Sequence, residues 1–399
     1  MLVAAHGMRV AIGPLGYRTG FPEVRKLFSA VPETDRSDGA SILNFSHRIA
    51  LPKSVRYVTP SPDGRTVLLL TKEAAIENQS ILRLDTDTRV IAPAPLTSGG
   101  SARSIAFSPD GGHVAVNLEG RLRGEKDYHF GRIRLLATDG FRELADYWAA
   151  EQDCAFSREM TFSDDGRALW VLCEWSSARP QDLLAVKLAL PDLEIVERRP
   201  RPAGAGARAF ASMSTIAATA SGVVAAGYVW DGVAEFLSVT DVTTSRTLLA
   251  PRNMWEAVPG GPGVGFCGLY VSRDATLVTL AHCAPALQLK YDPSLARGQF
   301  RTFDIGSGDL VANFAQQSPG RDPTQWSLAF DRAHGRLVGI GTTLASKIGT
   351  LAVWDQKTGR ELQRIETVAY RSGVFSLDGR WLLLLGRDDE AIYFYRAEP

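Results

Sequence analysis

One local pattern recurs seven times in this chain of 399 residues: an apolar strand end, a short polar turn, and a strand of small and branched apolar residues. It reads TPSPDGRTVLLL from Thr59, AFSPDGGHVAV from Ala106, TFSDDGRALWVL from Thr161 and AATASGVVAAG from Ala217. YVSRDATLVTLA from Tyr270, AFDRAHGRLVGI from Ala329 and VFSLDGRWLLLL from Val374 complete the set. The turn chemistry is local: proline fixes φ, aspartate bonds its own backbone, and glycine takes the positive φ that a tight turn needs. The second residues of the units stand at 60, 107, 162, 218, 271, 330 and 375, a spacing of 45 to 59 residues.

Third strands closing on a second turn follow, as in ILRLDTDT, IRLLATDG, FLSVTDVTT, FRTFDIGSG and LAVWDQKTG, and then fourth strands such as RVIAPAP and ELQRIET. Several short strands per period of this size mark a β-propeller. A β-sandwich, or an unrelated string of hairpins, gives no reason for seven matched units. The expected fold is therefore all-β, a seven-bladed β-propeller of four-stranded antiparallel blades.

The last unit sets how such a ring would close. AIYFYRAE alternates as a strand does, and nothing follows it to pair with its far edge. SILNFSHR at 41–48 is placed to supply the missing fourth strand, so that an N-terminal strand completes the last blade and no edge is left open. Residues 41–399 are then the propeller. Residues 1–40 are an N-terminal extension, with FPEVRKLFSAV as a short helix and VPETDRSDGAS as a linker.

In LAVWDQKTGRELQRI, Trp354 and Asp355 stand where WD40 repeats carry their Trp-Asp dipeptide. Over roughly residues 41–399 the chain resembles the WD40-type propeller family, in a divergent WD40-like or YVTN-like form, since this unit alone has the dipeptide at the end of its third strand.

The bulk chemistry narrows the function classes. Lysine plus arginine equals aspartate plus glutamate at 44 each, so no global field draws the chain to nucleic acid or an anionic membrane. The apolar runs, such as WLLLL, are far short of the roughly 20 residues of a membrane span. No signal-peptide pattern opens the sequence, so a cytoplasmic location is expected, with a secreted or periplasmic one left open; a monomer is expected. Cys154, Cys173, Cys267 and Cys283 form no C-x-x-C pair; they are two disulfides or four buried thiols, and a chain of this size does not need staples, which favours thiols.

The turns lie together on one face of a propeller. Loops leading into first strands, and loops joining second to third, share the opposite or top face, where ligands and partners usually meet the ring. The candidates there are Glu151, Asp153, Arg158 and Glu159 before blade three, and Trp255 and Glu256 before blade five. Arg321, Asp322 and Trp326 precede blade six, and Tyr370 and Arg371 precede blade seven. Arginines and aromatics are interface chemistry, and no nucleophile elbow, HExxH or phosphate-cradling loop is present. The leading expectation is a non-catalytic binding platform for a protein or peptide, with no cofactor; a small-molecule ligand is also compatible.

The alternative is an enzyme of lactonase, hydrolase or lyase type at the channel mouth. Carboxylates converging from several blades can hold a hard divalent cation such as calcium, which polarises a carbonyl or activates water. The basic loop with Arg121, Arg123, Lys126 and His129 offers phosphate chemistry, but one such loop in a neutral chain does not make a nucleic-acid reader. His47, His129 and His282 are the histidines expected nearer the top.

Overall fold

The structure is a computed structural model that describes residues 41–71, 80–94, 101–121, 129–148, 156–173, 183–200, 213–230, 235–253, 265–283, 300–314, 325–342, 348–387 and 390–399. These residues form seven four-stranded antiparallel sheets. Blade one is β2 (Val55–Pro60), β3 (Thr66–Thr71), β4 (Ile81–Asp85) and β5 (Ile91–Pro93). Blade two is β6 (Ser101–Phe107), β7 (His113–Arg121), β8 (His129–Ala137) and β9 (Glu143–Trp148). Blade three is β10 (Phe156–Phe162), β11 (Ala168–Cys173), β12 (Leu183–Ala189) and β13 (Glu194–Pro200). Blade four is β14 (Met213–Thr219), β15 (Gly222–Trp230), β16 (Glu235–Asp241) and β17 (Arg246–Asn253). Blade five is β18 (Gly265–Val271), β19 (Leu277–Cys283), β20 (Phe300–Asp304) and β21 (Leu310–Phe314). Blade six is β22 (Gln325–Asp331), β23 (Arg336–Thr342), β24 (Ile348–Asp355) and β25 (Glu361–Val368). Blade seven is β26 (Tyr370–Phe375), β27 (Trp381–Gly386), β28 (Ala391–Ala397) and, at its outer edge, β1 (Leu43–Ala50).

That last pairing answers the closure question. β1 runs antiparallel to β28, from Leu43 opposite Ala397 to Ala50 opposite Ala391. The first strands touch one another in ring order, with β26 meeting β2. The chain closes on itself as SILNFSHR and the unpaired last strand require.

Burial explains the strand patterns. A blade is covered on both faces by its neighbours, so its middle strands are continuous apolar runs rather than alternating ones. The β3 sequence TVLLLT is buried from Val67 to Thr71, and ALWVLC in β11 is buried throughout. The outer strand β13, EIVERRP, instead alternates exposed and half-buried positions. Apolar clusters fill the spaces between blades. Leu68, Leu70, Val114 and Val116 join blades one and two, while Leu69, Leu84, Leu383 and Phe394 join seven and one. Trp354, of the Trp-Asp pair, is buried against Phe300 of blade five.

Cys173 corrects the thiol expectation: it is disulfide-bonded, and its sulfur therefore titrates no longer. Among the described residues no helix is long and apolar enough to cross a membrane.

Candidate functional site

Five of the seven turns are built alike. Ser61, Ser108, Ser163, Ser272 and Ser376 each donate a hydroxyl hydrogen bond of 2.5–2.6 Å to the aspartate two residues on, Asp63, Asp110, Asp165, Asp274 and Asp378. The same aspartate oxygen accepts the backbone N–H of Arg65, Gly112, Arg167, Thr276 or Arg380. The serine oxygen in turn accepts the N–H that opens the second strand, as from Thr66, His113 and Ala168. At Asp110 and Asp165 the serine hydroxyl, then the backbone N–H, holds the carboxyl below the usual carboxylate range. These aspartates are structural and already satisfied.

Blade six departs from the pattern. Asp331 takes the serine position, is buried, and bonds the Nδ1 of His334 at 2.9 Å. Burial pushes its carboxyl up, and the His334 hydrogen bond opposes that shift without cancelling it.

The residue after the serine position points the turns toward the channel. A cavity of about 940 Å³ opens on this turn face, and Pro62, Pro109, Asp164, Arg273, Arg332 and Leu377 all line it. They come from blades one, two, three, five, six and seven. Arg332 reaches across from blade six to donate to the Ala218 carbonyl of blade four, while its buried Nε has no hydrogen-bond partner. Burial lowers its pKa, the neighbouring Arg273 guanidinium lowers it further, and Asp164 partly offsets both. Leu377 is 49% exposed at the same mouth. Sequence reading passed over these residues because their turns looked like punctuation. Superposing the seven turns would have shown one position that is proline twice, leucine once and charged three times.

The top-face candidates fare differently. Glu151, Asp153, Trp255, Glu256, Arg321 and Asp322 lie outside the described residues, as does most of the basic loop of blade two. Arg158 lies in β10 and Trp326 in β22, on two first strands, with side chains outside the description. Glu159, also in β10, has Tyr270 of blade five near enough to feel its charge. Burial, helped by Glu159, pushes the Tyr270 hydroxyl up to about 12, and that hydroxyl donates to the Leu328 carbonyl at 3.1 Å.

Tyr370 is a correction. It is only 2% exposed, and its hydroxyl shares hydrogen bonds of 2.9 Å with Thr367 and Tyr395, so no partner can reach it. Its ring packs edge-on to Tyr393 at 5.0 Å. Arg371 donates to the Val55 carbonyl of blade one and lines a small cavity of about 190 Å³ with Arg387 and Glu390. Burial lowers its pKa and Glu390 opposes the shift. It ties blade seven to blade one. His47 lies on the outer strand β1, stacked on Phe394 at 4.5 Å, away from the channel.

No group of three or more His, Cys, Asp or Glu side chains able to hold a metal ion occurs among the described residues. No protein-family model and no curated protein sequence matches the chain. Solved structures do match. A beta-propeller domain of Myceliophteria thermophila Cps50 (Swd1) aligns over 89% of this chain and 100% of its own, with TM-score 0.58 at 12% identity. U3-55K aligns over 89% and 97%, with TM-score 0.56 at 13% identity. The chain shares the β-propeller fold of these structures. Hydrazine synthase of Kuenenia stuttgartiensis also aligns, over 88% of this chain and 98% of that one, with TM-score 0.59 at 13% identity. At such identities the likeness concerns the fold alone.

Proposed function

We propose that this propeller is a non-catalytic binding platform whose ring holds a protein or peptide partner. The observation that carries the reading is the state of its described carboxylates. Those of the turns are each tied into their own serine and backbone N–H network, so they do not converge on a point where a substrate could be activated. What lines the mouth is recognition chemistry: the guanidiniums of Arg65, Arg273, Arg332 and Arg380, the carboxylates of Asp85, Asp87 and Asp164, and an exposed leucine. Arginine is among the side chains enriched at the anchors of partner contacts. The top face, with Arg371 among its fixed elements, remains the second surface of the platform.

The disulfide at Cys173 supports an oxidising compartment for this platform in place of the cytoplasm. Thiol alkylation before and after reduction, followed by mass spectrometry of the protein from its source, tests that placement; a fully alkylated Cys173 without reduction refutes it.

The platform reading is tested by site-specific photo-crosslinking. A photoreactive residue is placed at Leu377 on the turn face, at Arg371 on the top face and at the exposed Val196 on an outer strand. The expected result is one partner captured from a ring-face position and absent from the Val196 control. Equal capture from all three positions counts against a ring-face platform.

A further inference from the structure

We propose that the turn-face mouth of the channel binds a monocarboxylate with an apolar body. The carboxylate sits on Arg273 and Arg332, and the body lies on Leu377, Pro62 and Pro109. The proposal rests on the platform reading and names the ligand chemistry of one of its faces.

Ring order carries the argument. Blades five and six place Arg273 and Arg332 side by side on the cavity wall, each at the residue after the serine position of its turn. Blades seven, one and two then place Leu377, Pro62 and Pro109 at the same position, a continuous apolar arc beside the cationic one. Leu377 is half exposed, so water now covers apolar surface that a ligand would dry.

The arginine pair is unfinished as it stands. Arg332 spends one terminal nitrogen on the Ala218 carbonyl, but its buried Nε has no partner. The two guanidiniums repel each other, and Asp164 offsets that repulsion only in part. A carboxylate presents two acceptor oxygens in the plane that a guanidinium fork prefers, and it neutralises the like-charge pair. Of the other carboxylates lining the cavity, Asp63, Asp110 and Asp378 accept hydrogen bonds in their own turns and Asp85 accepts from Thr88, while Asp87, Arg65 and Arg380 line the same wall. Asp164, on blade three, faces the arginines and disfavours a second negative charge on the ligand. Hence a monocarboxylate rather than a dicarboxylate is expected.

Such a carboxylate has two sources, a free small molecule or the C terminus of an apolar peptide. The test uses the full chain and four probes: hexanoate, adipate, hexanol, and an acetylated aliphatic tripeptide with a free or amidated C terminus. Binding is read by calorimetry and by the melting temperature at several ligand concentrations. Hexanoate or the free-acid peptide should bind and raise the melting temperature, with adipate, hexanol and the amidated peptide at least ~10-fold weaker. Tighter binding of the peptide acid than of hexanoate assigns the site to a polypeptide terminus; the reverse order assigns it to a metabolite.

Arg273→Gln, at an exposed position, should weaken the bound acid about tenfold or more without altering the unliganded melting temperature. Arg332→Gln should weaken the acid comparably but also lower the unliganded melting temperature, because its bond to the Ala218 carbonyl is lost, and Leu377→Ser should weaken hexanoate while leaving the preference for acid over alcohol intact. No acid-specific binding, or equal binding by wild type and R273Q, overturns the proposal. A partner cross-linked equally well by wild type and R273Q also overturns it, yet leaves the platform reading in place.

Discussion

At the scale of single residues, the turns of blades one, two, three and seven put glycine at their tightest point, with φ of +72°, +72°, +68° and +71° for Gly64, Gly111, Gly166 and Gly379. Blade five has Ala275 there at φ +58°. An L-residue pays for that conformation in sterics, whereas glycine does not. Ala275→Gly should therefore stabilise the fold by about 0.5–1 kcal/mol after the extra entropy of glycine is counted. Chemical denaturation reads the gain, and a loss of stability would contradict this account of the turn. The aspartates give a pH signature. Asp110 is held below its unfolded value by Ser108 and the Gly112 N–H, so its stabilisation is present above about pH 4 and is lost as pH falls through the folded value. Asp110→Asn should melt roughly 1–3 °C below wild type at pH 7, and the gap should close in acid. A gap of the same size at pH 3 would mean the charge is irrelevant.

At the scale of elements, β1 is the piece on which the ring depends. Leu43 and Ile49 are buried, Phe45 meets Tyr395 at 5.5 Å, and the whole strand covers the edge of β28. Removing residues 1–50 should leave that aromatic edge open and give an insoluble or sharply less stable protein. A soluble truncate that melts with the full chain would refute the closure. The disulfide at Cys173 is a second element-scale tie, at the end of β11. Cys173→Ser should cost about 2–4 kcal/mol, and reductant should lower the wild-type melting temperature but not that of the variant.

Much of this was legible beforehand, because turn chemistry and continuous apolar runs are written locally. The S-x-D-G turns, the two-sided burial of VLLLT and the need of AIYFYRAE for a partner all follow from residue type and period. Tyr370 was not legible as a core residue: its three-hydroxyl cluster with Thr367 and Tyr395 forms only when β25, β26 and β28 meet. Arg273 and Arg332 lie 59 residues apart and become neighbours only through ring geometry. Pairing of Cys173 depends likewise on a partner brought near by the fold.

At the scale of the whole molecule, seven four-stranded blades form a ring, and one cavity mouth on its turn face carries described recognition chemistry. The turn-face mouth carries guanidiniums beside an apolar arc; Asp63, Asp110 and Asp378 there bond their own turns, whereas Asp164 faces the arginines. The account therefore treats the ring as a surface that holds a partner, with no reaction at its axis. The competing account, a channel-mouth enzyme built on a divalent cation, makes an opposite statement about the purified protein. Elemental analysis of that protein, paired with melting curves with and without a chelator, separates the two most directly. The platform account expects no stoichiometric ion and an unchanged melting temperature. A stoichiometric divalent ion whose removal lowers the melting temperature would contradict it.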